Sequence, residues 1–269
     1  MNPARSAIAA VALALAGAAC SQTPVSPSPS TVPRPLLMLT ERLETAHFLF
    51  YYSPGDRIEA ERSEAYHRWA TGYLGVWVPV KIEYYKFRQL EDMYCPDSAP
   101  SAKCLPVGAI GMASGGSRIY TSETWHPHEC FHIYTARIGS PPTCFNEGMA
   151  TAHIVDPYNN DFVARSHSSP GSEPLLTAAA RFYSQGRLVP IESLLAGWSQ
   201  VPSGLSYPEA GSFVRFLVDT YGLERMKEVF RTIRYSDPVD VVLAKFEGIY
   251  GMSLRAAEAE WHAFLALPR

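Results

Sequence analysis

The chain has 269 residues, 47% of them hydrophobic and 12% aromatic, which is ample for a buried core as one large domain or two lobes. Its formal charge is −3, from 23 basic and 26 acidic side chains. With no basic run anywhere, it lacks the electrostatic footprint of a nucleic-acid partner.

Residues 1–19 read as a secretory signal rather than as part of the fold. Met1 to Arg5 make a short, weakly basic start, and Ala7 to Ala19 an Ala-rich apolar stretch too short to cross a bilayer as a stable helix. Two endings are open. Ala16-Gly17-Ala18 offers an A-x-A cleavage site and a freely secreted product. Leu15 to Cys20 (LAGAAC) is similar to a bacterial lipobox, with Cys20 lipidated and Gly17 where a larger apolar residue is usual. Residues 20–40 continue as a Ser/Pro/Thr tether with nothing to pack. A tether directly after a cysteine suits a cell-envelope lipoprotein, so membrane association through lipidated Cys20 is the expectation.

Export places the remaining cysteines in an oxidising compartment, where disulfides are the default. Cys95, Cys104, Cys130 and Cys144 allow three pairings, of which Cys95–Cys104 with Cys130–Cys144 is preferred. Cysteine ligation of a metal is weak here, because Cys130 lies about 200° round a helix from His128.

In chain order, 43–52 (LETAHFLFYY) is strand-like and ends at Ser53-Pro54-Gly55-Asp56. Residues 58–72 have helical spacing, and 78–87 read as a second strand. Residues 89–106 form an irregular loop, 107–116 are Gly-rich, and 117–122 make a short strand. A helix over 126–138 follows, and then helices over 143–155, 173–184, 190–198, 207–221, 223–233, 238–249 and 253–266. Strands first and helices after argue an α+β domain over 41–269, with a small sheet lobe followed by a mainly helical lobe.

The chemistry concentrates in 125–152, WHPHECFHIYTARIGSPPTCFNEGMATA. With Pro127 in the first turn, His128 and His132 of H-E-x-x-H fall one turn apart on one helical face. Both imidazoles can reach one ion, and Glu129 can reach water bound to it. Glu147, in N-E-G on the next helix, supplies a third ligand. Two His and one Glu leave a coordination position open, the pattern of a catalytic zinc site. An unpaired Glu147 between Phe145 and Met149 would be costly, which argues for a partner. His126 is off the metal face and reads as a surface or supporting histidine, and His153 as one that faces away.

HECFH followed by NEGMATA resembles the gluzincin metallopeptidases, which include the thermolysin-like and aminopeptidase-N-like enzymes, and in particular the bacterial peptidase-MA-like domains. The likeness extends to 206–222 (SYPEAGSFVRFLVDTYG), although Pro208 intervenes between Tyr207 and Glu209, and to the closing 252–265. The resemblance implies a zincin-like fold with the zinc cleft between the lobes. It implies His128, His132 and Glu147 as Zn²⁺ ligands, Glu129 as the base acting on the zinc-bound water, and Tyr207 as hydroxyl donor to the oxyanion. A peptide or protein would be the substrate. Gly108 to Ser114 (GAIGMAS) has no acid where the aminopeptidase branch anchors a free amine, which points to an endopeptidase. The alternative is a non-catalytic envelope binding module that retains the fold.

Overall fold

The computed structural model describes residues 38–93, 111–154 and 173–267. The signal, the lipobox, most of the tether, and Cys95 with Cys104 lie outside the described residues.

One mixed five-stranded sheet runs in the order β1-β2-β3-β5-β4. Its strands are β1 (Glu41–Glu44), β2 (Phe48–Tyr52), β3 (Ile82–Lys86), β4 (Gly111–Ser114) and β5 (Arg118–Thr121). β2, β3 and β5 are parallel, and both edges, β1 and β4, are antiparallel to their neighbours. The expected single strand over 43–52 is thus a hairpin. Thr45 takes Phe48 back on itself: its N–H donates to Phe48 O at 3.0 Å, and its Oγ1 accepts from Phe48 N at 3.2 Å. Glu64 clamps the turn by accepting from Thr45 Oγ1 at 2.6 Å and His47 N at 2.8 Å.

Alternation along the strands sorts the two faces. Phe48, Phe50, Ile82 and Tyr84 are buried against α1 (Ala60–Leu74) and α2 (Pro127–Thr135), which contribute Tyr66, Ala70, Leu74, Phe131 and Tyr134 to the same core. On the opposite face Tyr51, Tyr85 and Tyr120 stand in register and stack with 4.9 Å between successive ring centroids. The β4–β5 hairpin closes through the three residues Gly115, Gly116 and Ser117, with both glycines at positive φ (60° and 72°), which residues with a Cβ rarely adopt.

The helical half comprises α3 (Thr143–Ala152), α4 (Leu175–Ser184), α5 (Ile191–Gly197), α6 (Ser203–Tyr221), α7 (Leu223–Thr232), α8 (Val239–Tyr250) and α9 (Leu254–Leu265). Several boundaries depart from expectation: β3 starts at Ile82 rather than 78, α3 ends at Ala152 rather than 155, and two further shifts have a visible local cause. α2 stops at Thr135, and the chain tightens beyond it, with Arg137 N donating to Tyr134 O and Ile138 N to Thr135 O. α6 starts at Ser203 rather than 207, because Pro202 O accepts from Leu205 N (2.8 Å) and Ser206 N (3.0 Å). Pro208 then sits inside the helix rather than opening it.

The preferred Cys130–Cys144 disulfide does not form; both are free, buried thiols. They belong to different layers. Cys130 lies with Tyr66, Tyr84 and Tyr134 toward the sheet, and Cys144 with Glu209 and Glu258 of α6 and α9. Burial pushes both thiols far above their usual range, so neither is a reactive thiolate.

Candidate metal centre

α2 begins with His126 at the N-cap, whose Nδ1 accepts a long hydrogen bond (3.4 Å) from Glu129 N, and Pro127 occupies the first helical position. The helix that follows stacks His128 over His132. α3 brings Glu147 to the same point, so the three donors form a compact triangle. Glu147 Oε2 lies 3.0 Å from His128 Nε2 and 3.3 Å from His132 Nε2, and the two Nε2 atoms are 3.1 Å apart. Tetrahedral ligands about 2.0–2.1 Å from zinc are about 3.3 Å from one another, so the triangle has the dimensions of three zinc corners. His128, His132 and Glu147 are a candidate metal-binding group by this geometry.

The charges fit the same use. Burial alone would raise Glu147, but His132 and then His128 oppose it and hold the carboxyl well below the usual carboxylate range. Burial alone would lower His132; the Glu147 charge and hydrogen bond, with Glu129 behind them, outweigh it and raise His132 to about 9. A protonated His132 thus balances the carboxylate, in the place a metal cation would take.

One side of the triangle opens into a cleft of about 340 Å³ that Glu129, His132, Glu147 and Tyr207 line, with β4 and Ser140 among its other walls. The Tyr207 ring lies 5.9 Å from that of His128 and meets Trp198 edge-on at 5.1 Å. Burial first, and then the Glu147 and Glu129 charges, push the Tyr207 phenol far upward, so it is a proton donor at any ordinary pH. β4 comes close because Gly111 carries no side chain. A Cβ there would stand 2.7 Å from His126 Nε2 and 2.9 Å from Glu129 Cγ.

The structure therefore brings Glu129 and Tyr207 to the cleft that holds the three candidate ligands. His126 is not at the surface but 1% exposed, and burial with its histidine neighbours lowers it to about 3, leaving it neutral. His153 does turn elsewhere, with its ring stacked on Phe131 at 4.8 Å, its Nδ1 on Met149 O and its Nε2 on Tyr73 Oη. Asn146 and Trp198 joined the site without being expected. Asn146 could have been read as the neighbour of Glu147 in N-E-G, whereas Trp198 has no local signal.

A close helix pair sets the spacing between Glu147 and Tyr207. A Cβ on Gly148 of α3 would stand 2.8 Å from Ala210 O, and one on Gly211 of α6 would stand 2.7 Å from Thr151 Cγ2. Two glycines facing each other's helix let the backbones approach, and Glu147 is the residue beside the first. No protein-family profile, curated protein or solved structure matches this chain.

Proposed function

We propose that this chain is an exported zinc peptidase of the gluzincin type, an endopeptidase of the cell envelope tethered through lipidated Cys20 or freely secreted. The observation that carries the reading is a His-His-Glu triangle of zinc dimensions, open on one side to a cleft that also holds a carboxylate and a phenol. Two imidazoles and one carboxylate are a donor set that zinc favours.

His128, His132 and Glu147 would hold the ion, which when bound would supply a Lewis acid able to bring a water toward a pKa of about 7 and to polarise a peptide carbonyl. Glu129 follows His128 on α2 and lines the cleft, so its carboxylate takes the proton of the attacking water and returns it to the leaving amine. Tyr207, protonated and braced by Trp198, donates to the developing oxyanion of the substrate. β4 is the sheet's outer strand among the described residues and lines the cleft, which suits a peptide adding alongside it. Its residues, Gly111 to Ser114, offer no acid to hold a free amine, which favours internal cleavage.

Elemental analysis of the purified mature protein, with a casein digest run beside Glu129→Gln, tests the reading. One zinc per chain and cleavage that falls at least about 100-fold in the variant, with zinc retained, is the expected result. Cleavage undiminished by Glu129→Gln overturns the mechanism. Zinc without any cleavage supports the non-catalytic binding module instead.

A further inference from the structure

We propose that the cleft continues past Ser140 into a basic subsite that takes an acidic side chain of the peptide, about three to four residues from the bond that is cut. The inference rests on the peptidase reading above and names a substrate preference for it.

Gly139 and Ser140 wall both the metal cleft and a second depression of about 400 Å³. Tyr235 N donates to Ser140 O at 2.8 Å, fixing the segment after α7 against the end of the α2 turn. Only two side chains that line this depression are charged, and both are arginines, Arg231 and Arg234. Arg231 is engaged by Glu228 at 3.2 Å and by Glu224 at 3.6 Å. The Arg234 guanidinium is exposed and makes no ion pair or hydrogen bond among the described residues. Asp237, whose carboxyl feels the Arg234 charge, takes its direct contacts elsewhere, from Lys245 Nζ at 2.7 Å and from Arg234 N at 2.8 Å. Tyr235 stands 69% exposed beside it, with a phenol that can donate. A forked guanidinium and a hydroxyl in one depression suit a carboxylate.

The spacing gives the position. Hydrogen bonds of helical type continue to Gly139, whose N donates to Thr135 O. At about 1.5 Å per residue to Thr135 and up to about 2.0 Å through the tightened turn beyond it, the seven steps from His132 to Gly139 span about 10–13 Å. An extended peptide at about 3.3 Å per residue covers that in about three to four residues.

The test uses the purified mature chain as zinc-loaded Glu129→Gln, and fluorescent decapeptides of Ala and Gly with a central Leu. Each carries Asp or Lys three or four residues to one side of the centre. By anisotropy, on one of the two sides, the Asp peptide binds about threefold to tenfold tighter than its Lys counterpart, the range of exposed ion pairs. Arg234→Ala brings the ratio near one, Arg234→Glu inverts it, and about 0.5 M salt shrinks it. Both substitutions are at an exposed side chain, so the fold is retained. No binding, equal binding of the two peptides, or a preference untouched by Arg234→Ala overturns the subsite. Digestion of the same peptides by the unaltered protein separates the two ideas. Cutting without charge preference leaves the peptidase reading standing alone, and charge preference without cutting leaves the subsite standing alone.

Discussion

Glu147 on α3 and Glu209 on α6 belong to the same closely packed helix pair; Glu209 is fully buried and Glu147 reaches solvent only at the cleft. Burial pushes both carboxyls upward, and their partners then part them. Glu147 has two imidazole nitrogens within 3.3 Å and is held below the usual range. Glu209 has only Val189 N, which donates to Oε1 at 3.0 Å, while its Oε2 is buried without a hydrogen-bond partner. Burial, with the Glu258 charge nearby, raises it to about 8. One is an ion ready to be a ligand; the other is a neutral acid at pH 7. A buried acid is therefore not in itself a sign of a metal site, and the imidazoles make the difference.

The sharpest way to break the comparison is to give both positions the same neutral amide. Glu147→Gln removes a charged ligand, and its zinc affinity, measured by competition with a chelator, falls by more than about 100-fold, beyond what loss of a supporting group alone produces. Glu209→Gln leaves that affinity unchanged. Equal losses at the two sites would erase the distinction. Next in size is Tyr207→Phe, two residues from Glu209 on α6. It lowers peptide hydrolysis by about 100- to 1000-fold while zinc binding stays, as loss of an oxyanion donor does. Zinc loss in this variant would recast the phenol as part of the metal shell.

A smaller effect tests whether the helix pair itself spaces the two carboxyls. In Gly148→Ala the new Cβ meets the Ala210 carbonyl oxygen and Val214 Cγ2, each at 2.8 Å. Backbone cannot swing aside like a side-chain tip, so the helices must part. A destabilisation of about 1–3 kcal/mol follows. Thermal melting should fall by about 2–4 °C for each kcal/mol in a domain of this size. Zinc affinity falls with it, because Glu147 is the adjoining residue. An unchanged melting temperature would show that α3 and α6 have slack.

The candidate metal triangle was legible because helical periodicity alone fixes His128 over His132, and N-E-G set a third candidate ligand in an apolar run where it needed a partner. The sheet-then-helices order was legible for a similar reason, since alternation in FLFYY and IEYYK survives in β2 and β3. What local pattern could not carry was long-range. The hairpin at Thr45 depends on Glu64, nineteen positions away. The free thiols depend on which layer each helix face meets. The helix expected from 207 starts four residues earlier, because the carbonyl of Pro202 sets the first turn. Nothing in PEAGS distinguishes Glu209 from an exposed glutamate, because its neutral state comes from burial in the packed helices and from the Glu258 charge, which together outweigh the hydrogen bond from Val189 N.

The mildest prediction asks whether Glu209 is the neutral member of the pair. Its folded-state pKa, about 8, is above the ordinary 4.5, so the folded chain holds this proton more tightly than the unfolded one. That contribution is complete below the unfolded pKa and is lost as pH climbs toward 8, with a slope of at most about 1.4 kcal/mol per pH unit. Glu258 and Cys144 face the same carboxyl, but the thiol is held neutral by burial, and Glu258 accepts from Ile191 N in either variant. Glutamine keeps the shape, offers N–H where the acid offers O–H, and does not titrate. The stability of the unaltered chain minus that of Glu209→Gln, from urea melts at pH 5, 7 and 9, should therefore decline steadily and level off near pH 8 to 9. Taking the difference cancels the contributions common to both proteins, that of His132 among them. A difference that stays flat with pH would mean that Glu209 is ionised in the fold, like Glu147, and that some cation has been overlooked beside it.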